Sequence, residues 1–193
     1  MIEFRLEDIF RAFIRNYGSM ELAEIYYATH WTNRILRYFE ELGQLMGFYA
    51  YYEWQKYDLT WFEEYNTPTT NKAPILHVEH ENDYDRLLHE LLDKVRQSPA
   101  RNIVTICYPR PEEDIAKFDA AVQQHIDSLK REVSVLAIHD GYHYSPKREV
   151  IKGHILRTHK KMTECIAKRM KMMNRNEGDG TYYARMDELC KEI

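Results

Sequence analysis

The chain has 193 residues, of which 44% are apolar and 30% charged, and its formal net charge is −4. This composition excludes a disordered or low-complexity chain and is typical of one compact domain. No run approaches the roughly 20 consecutive apolar residues of a membrane-spanning helix, and the start lacks the basic-then-apolar order of a secretory signal. We therefore expect a cytoplasmic protein with no membrane partner.

Apolar spacing predicts two helices before the first strand. Apolar residues recur at helical intervals over residues 3–15, and a second amphipathic stripe runs over residues 22–46. The period then changes to short aromatic or β-branched runs that predict strands, separated by two further helical stretches. The predicted strands cover residues 48–54, 57–62, 75–81, 103–107 and 133–138, and the predicted helices between them cover 83–95 and 112–129.

The C-terminal part of the chain is basic. Residues 146–176 contain ten Lys or Arg against two Asp or Glu, and the Met-rich stretch from Met162 to Met173 fits helical spacing. Val150, Ile151 and Ile155 fit either a sixth strand or a helix start. We predict a core over residues 1–145 and a basic helical extension over 146–193 packed on it.

Lysine and arginine in this extension are candidate phosphate contacts, because each cation that neutralises a phosphate also releases counterions. An exposed helix that pairs with the acidic remainder of the chain is an equally good interpretation. The candidate nucleic-acid-binding residues are Lys160, Lys161, Lys168, Arg169 and Lys171.

Cysteine usage indicates neither a disulfide framework nor a cysteine-rich zinc site. Cys107, Cys165 and Cys190 are odd in number, far apart in sequence and without a C-x-x-C pair. We predict buried, reduced thiols.

Paired acidic residues mark the third predicted strand. Because side chains alternate along a strand, His77, Glu79 and Glu81 share one face. Two neighbouring carboxylates repel each other unless a cation lies between them, which favours a divalent-metal site; an exposed strand end would also explain them. Asp58, on the preceding strand, supplies a third acid, and three such oxygens suit Mg²⁺ or Mn²⁺.

These elements resemble the PD-(D/E)XK nuclease superfamily, the restriction-endonuclease-like fold. The resemblance rests on a helix before a three-strand meander, a crossing helix and further strands, with Asp58 on the second strand and Glu79-His80-Glu81 on the third. It implies an α/β (α+β) mixed sheet flanked by helices, with Asp58 as the Asp of the motif and Glu79 as its (D/E). Glu81 stands where Lys is usual, and Tyr57 stands where Pro is usual.

The resemblance implies a metal-dependent nuclease that acts on DNA, with Asp58, Glu79 and Glu81 as catalytic residues and metal ligands. Glu40, or its neighbour Glu41, could add the acid that some members carry on the preceding helix, although both fit surface positions. His77 could act as a ligand or base, although a hydrogen-bonded, half-buried histidine is the commoner outcome.

Two other functions fit the same sequence. One is a catalytically inactive nuclease-fold accessory protein that binds nucleic acid or a protein partner. The other is a homo-oligomeric structural protein, such as a homodimer, whose tyrosine-rich strands and methionine-rich helix form interfaces.

Overall fold

A computed structural model of the protein describes residues 4–17, 28–65, 72–81, 83–109, 112–140, 150–173, 180–186 and 190–193. Its helices are α1 (Leu6–Asn16), α2 (Ala28–Leu45), α3 (Tyr84–Gln97) and α4 (Glu112–Asp127). Its strands are β1 (Tyr49–Tyr52), β2 (Leu59–Phe62), β3 (Leu76–His80), β4 (Asn102–Cys107), β5 (Ser134–Asp140), β6 (Val150–Arg157), β7 (Thr163–Met173), β8 (Gly180–Met186) and β9 (Lys191–Glu192).

The described strands form one mixed sheet in which β1 to β8 follow each other in chain order, with β9 paired to β7. β3, β4 and β5 run parallel, and the other neighbouring pairs run antiparallel. Parallel neighbours need a crossover connection, and α3 and α4 provide the two that this sheet requires. The fold is therefore α+β, a mixed sheet flanked by helices.

Helices cover both faces of the sheet. α2 packs on β1 to β3 and α1 on β5 to β8, so these two helices share one face. α3 and α4 pack together on the opposite face. The core on the first face includes Ile9, Phe13, Ile35, Phe39, Trp61, Val78, Leu136 and Ile155, and the core on the second includes Leu87, Leu91, Ile103, Phe118, Val122 and Val135.

The predicted helical C-terminal extension is wrong, because its described residues form strands. β6 pairs with β5, and β7 pairs with β6 and β8, so both extend the central sheet. Thr163, Cys165 and Ala167 alternate as buried residues, which is the strand period. The helical spacing of the methionines was misleading, because backbone pairing with the strands before and after this segment decides the outcome here.

The cysteine prediction is also wrong in part. Cys165 of β7 and Cys190, beside β9, form a disulfide across 25 positions of the chain. Cys107 is a buried free thiol, as predicted. Sequence spacing could not reveal the pair, because the antiparallel contact between β7 and β9 is what brings the two residues together. None of the described helices has the length and apolarity needed to cross a bilayer.

Candidate functional site

The three predicted acids line one cavity of about 500 Å³, which we call the acid cavity. It lies between α3 and the region where β3 ends and β2 begins. Asp58, Glu79 and Glu81 contribute from the strands, and Glu90 and Lys94 from α3.

Strand pairing brings Asp58 to the end of β3. Leu59 of β2 lies opposite Val78 of β3, so the residue before Leu59 falls next to Glu79 and His80. Asp58 Oδ2 accepts a hydrogen bond from the backbone N–H of His80 at 2.7 Å. The turn from β1 to Asp58 contains non-glycine residues in the left-handed region, Glu53, Gln55 and Lys56, with φ of 53°, 52° and 70°.

Glu79 is the most buried acid of the cavity, with 4% of its surface exposed. Its Oε1 accepts a hydrogen bond from Lys94 Nζ, whereas its Oε2 has no hydrogen-bond partner among the described residues. Burial, reinforced by the Asp58 carboxylate, raises the pKa of Glu79 to about 7. Burial also raises the pKa of Asp58. The cavity therefore holds several carboxylates whose negative charge is compensated only in part. A bound cation would reduce the repulsion between them.

Glu81 is half-buried at the mouth of the cavity. Its Oε1 accepts the backbone N–H of Asp83 at 3.1 Å, just before α3, and its Oε2 lies 3.7 Å from Arg86 Nε. Asp83 in turn caps α3 through the N–H of Arg86. Part of the Glu81 carboxylate is thus engaged in local structure.

Lys94 is a cavity residue that the sequence did not single out. Its side chain is 15% exposed, and Nζ contacts Glu79 and lies 5.6 Å from the centre of the Tyr57 ring. It stands beside the apolar stripe of α3, where a long cationic side chain usually extends to solvent. No spacing rule connects it to Glu79, since the two residues meet only through the crossover from β3 to α3.

The two additional candidates have other surroundings. Glu40 of α2 accepts a hydrogen bond from Tyr52 Oη at 2.7 Å and does not line the acid cavity, and its neighbour Glu41 is exposed and pairs with Arg37. His77 shares the Glu79 face of β3 but is fully buried, stacked on the Tyr57 ring with centroids 3.7 Å apart.

The environment of His77 favours its neutral form. Nδ1 lies 2.8 Å from Thr60 Oγ1, and Nε2 lacks a partner among the residues described. Burial lowers the pKa of His77 to about 3, with Arg131 and Lys94 adding to the effect. It is a buried neighbour of the acid cavity rather than one of its lining residues.

The predicted phosphate contacts lie on β7 and on the turn before it. Lys160 and Lys161 are exposed in the turn between β6 and β7, and Lys168 is exposed on β7. Arg169 and Lys171 belong to β7 through their backbones, which pair with Ala184 and Tyr182 of β8.

A second group of chemistry-bearing residues lies farther along the same sheet face. Asp119 of α4, His139 of β5 and His154 of β6 offer one ligand atom each, all within 4.8 Å of one another; we call them the His–Asp cluster. Asp119 Oδ1 lies 3.3 Å from His139 Nε2, and Oδ2 lies 2.5 Å from His154 Nδ1. Within the described ranges, these are the three residues whose ligand atoms come this close together; Asp58, Glu79 and Glu81 line one cavity but do not form such a group.

In the His–Asp cluster, burial and hydrogen bonding have opposite effects on the pKa of Asp119. Burial alone would raise the pKa of Asp119, but hydrogen bonds from both histidines hold it below its usual value. Burial lowers the pKa of His139 and raises that of the adjacent Cys107 thiol. A cavity of about 490 Å³ reaches Asp119 and His154 from the surface.

The His–Asp cluster was not predicted from the sequence, although one signal was present. Asp119 falls at helical spacing between Ile115, Val122 and Ile126, so it puts a charge in the apolar stripe of α4. The histidines lie on two different strands, which excludes any short metal-binding motif. No protein-family model matches the chain, and neither the curated proteins nor the solved structures give a significant match.

Proposed function

We propose that the protein is a metal-dependent nuclease that hydrolyses phosphodiester bonds of DNA at the acid cavity. The observation that carries the proposal is the meeting of Asp58, Glu79, Glu81 and Lys94 in one cavity. Glu79 Oε2 is a buried carboxylate oxygen with no partner in the described part of the chain. Such an oxygen is a suitable ligand for Mg²⁺ or Mn²⁺.

The order of elements supports the same proposal. α2, the antiparallel strands β1 to β3, the crossover helix α3 and the parallel strand β4 follow one another as in the superfamily that the sequence resembles. Asp58 precedes the second strand, and Glu79 lies on the third. Fold alone does not define an activity, so the residues of the cavity carry the argument.

Asp58 and Glu79 would hold the cation, and Glu81 would contribute the oxygen that faces Arg86. A divalent cation at this position supplies a water of lowered pKa and stabilises charge on the phosphate. Glu79 is held in place by Lys94, and Asp58 by the backbone of His80. Both acids are therefore positioned before any substrate arrives.

Lys94 explains how Glu81 can stand where the superfamily usually has lysine. Its ammonium group enters the cavity from α3 and contacts Glu79 directly. It thus provides the positive charge near the scissile phosphate that Glu81 lacks, and it would stabilise the negative charge that develops during hydrolysis.

Nicking of supercoiled plasmid DNA tests this function. The wild-type protein should nick the plasmid with Mg²⁺ or Mn²⁺, and Asp58→Asn and Glu79→Gln should abolish nicking. Lys94→Met should lower the rate about 10²–10³-fold, the usual cost of removing one charge-stabilising donor. Glu41→Gln, a matched change at an exposed acid, should leave the rate unchanged.

Circular dichroism of each variant separates loss of activity from loss of fold. A wild-type protein that binds DNA but never nicks it with either ion would contradict the proposal and favour the inactive accessory protein. Full activity of Glu79→Gln would also contradict it, because another site would then be responsible.

A further inference from the structure

The His–Asp cluster has no role in the proposed nuclease chemistry, yet it is nearly as buried as the core. Asp119, His139 and His154 are 6%, 1% and 4% exposed. A buried carboxylate is costly unless positive charge or donors compensate it. The question is whether protons or a metal ion provide that compensation.

His139 can bind a metal ion through the nitrogen that faces Asp119. Without a metal ion, Nε2–H can donate to Asp119 Oδ1 at 3.3 Å. A metal ion would replace this hydrogen, and the ring N–H would then sit on Nδ1, 3.2 Å from Cys107 Sγ. Cys107 Sγ can accept it there, because its own hydrogen can go to the backbone oxygen of Ile138 at 3.5 Å.

His154 repeats this arrangement from the other side. Its Nε2 lies 3.2 Å from Glu164 Oε1 on β7, and a carboxylate there can only accept a hydrogen bond. Without a metal ion, Nδ1–H can donate to Asp119 Oδ2 at 2.5 Å; a metal ion would replace this hydrogen and leave the ring N–H on Nε2, toward Glu164. Metal-ligating histidines almost always donate their other N–H to a carboxylate or another acceptor, which fixes the ring orientation. Glu164 and Cys107 fit those two supporting positions.

We propose that Asp119, His139 and His154 bind one divalent transition-metal ion of the Zn²⁺ class. Two imidazoles and one carboxylate suit Zn²⁺, Co²⁺ or Ni²⁺ better than Mg²⁺, which prefers an all-oxygen set. The site is thus chemically distinct from the acid cavity.

The cavity beside the cluster leaves room for a further ligand. Asp119 and His154 lie on its wall, and most of the remaining wall is apolar, including Ile115, Leu156 and Met162. Three protein ligands with one position open to a cavity form the pattern of a catalytic rather than a structural zinc site. Water or a small monodentate anion would fill the fourth position.

Zinc binding to the metal-free wild-type protein tests the proposal. Isothermal titration should give one high-affinity Zn²⁺ per chain, and the imidazole ¹⁵N resonances of His139 and His154 should shift in the NMR spectrum. Asp119→Asn should weaken Zn²⁺ binding more than about 100-fold, because a supporting change alone costs about 10–100-fold. Glu164→Gln should weaken it about 10-fold, the lower end of that range, since the amide oxygen still accepts the His154 N–H.

Two matched variants control for other sites. His159→Ala removes an exposed imidazole that pairs with Asp127, and His89→Ala removes an exposed imidazole on α3; both should keep the wild-type Zn²⁺ affinity. If Asp119→Asn does not fold, the Zn²⁺ affinity of Glu164→Gln and the NMR shifts of the wild-type protein still test the proposal. Absence of stoichiometric Zn²⁺ binding, or histidine resonances that do not respond, would overturn the proposal and leave a proton-linked hydrogen-bond network.

Discussion

His77 and Glu79 lie two residues apart on one face of β3. Burial shifts the pKa of each in the direction that favours the neutral form of the side chain. The shifts have opposite consequences for stability. Glu79, with its pKa raised to about 7, binds a proton more readily when folded, so its contribution falls as pH rises from about 4.5 to 7. His77, with its pKa lowered to about 3, resists protonation when folded, so its contribution is present above pH 6.5 and is lost as pH falls toward 3.

The His77 contribution can be isolated with His77→Asn, which keeps a polar atom near Thr60. Lys94 of α3 and Arg131 after α4 face this ring and oppose its charge, Tyr57 stacks on it and Glu79 lies beside it. Between pH 6.5 and 3, the unfolding free energy of the wild type should lose up to about 1.4 kcal/mol per pH unit more than that of the variant.

Chemical denaturation across this pH range measures the difference. His159→Asn, at an exposed histidine, should leave the pH dependence close to that of the wild type. Parallel curves for the wild type and His77→Asn would contradict the assigned burial of His77.

α1 packs against the sheet where Phe10 of the helix contacts a glycine of β6. A Cβ on Gly153 of β6 would lie 2.6 Å from Cδ2 of the Phe10 ring, closer than side chains tolerate. The absence of a side chain thus lets α1 press directly on β6. The acidic residues Glu7 and Asp8 in the first turn of α1 and Arg15 in its last turn suit its dipole.

Gly153→Ala should therefore destabilise the protein by about 1–3 kcal/mol, the usual cost of overpacking a core. In a Phe10→Leu background the same change should cost clearly less, because the ring it strikes is gone. Urea unfolding of the four proteins completes this double-mutant cycle. Equal costs in the two backgrounds would show that Phe10 is not the obstacle.

Prediction from sequence succeeded for elements with local signals. The alternation or apolar runs of β2 to β5 and the stripes of α1, α3 and α4 place these elements within a few residues of where the structure has them. β7 was predicted to be helical, and β6 was left open between strand and helix, because the apolar spacing of both segments fits either period. Pairing with neighbours on both sides, which decides for strands, cannot be read from that spacing.

The residues of the two candidate sites also divide into those with a local sequence signal and those that only the tertiary fold brings together. Glu79 and Glu81 were selected as candidates because a strand places alternate residues on one face, and Asp58 because it belongs to the neighbouring predicted strand; the three line one cavity. Lys94 was not predicted to belong to the cavity, because it lies on the crossover helix α3 and only the tertiary fold places it next to Glu79. The His–Asp cluster was missed because it draws on three elements at once.

Charge is unevenly distributed over the whole molecule. The net charge is −4, yet residues 146–176 carry ten basic against two acidic residues. If this region contacts DNA, affinity should fall steeply with salt. The triple variant Lys160→Ala, Lys161→Ala, Lys168→Ala should lower the log–log salt slope by up to about 3, roughly 0.9 per phosphate contact.

Fluorescence anisotropy at several salt concentrations measures this slope. A triple alanine variant at Lys72, Lys117 and Lys130, which are exposed elsewhere on the surface, changes the net charge equally and should keep the wild-type slope. Identical slopes for the two triple variants would show that β7 and its turn do not contact the phosphates.

The acid cavity and the His–Asp cluster draw on separate stretches of the chain, residues 56–97 and 119–164, and none of the described residues belongs to both. Changes in groups that share no partner usually have additive effects. Substitutions in one of these two groups can therefore accumulate during evolution without altering the other group, while the sheet that carries both stays unchanged.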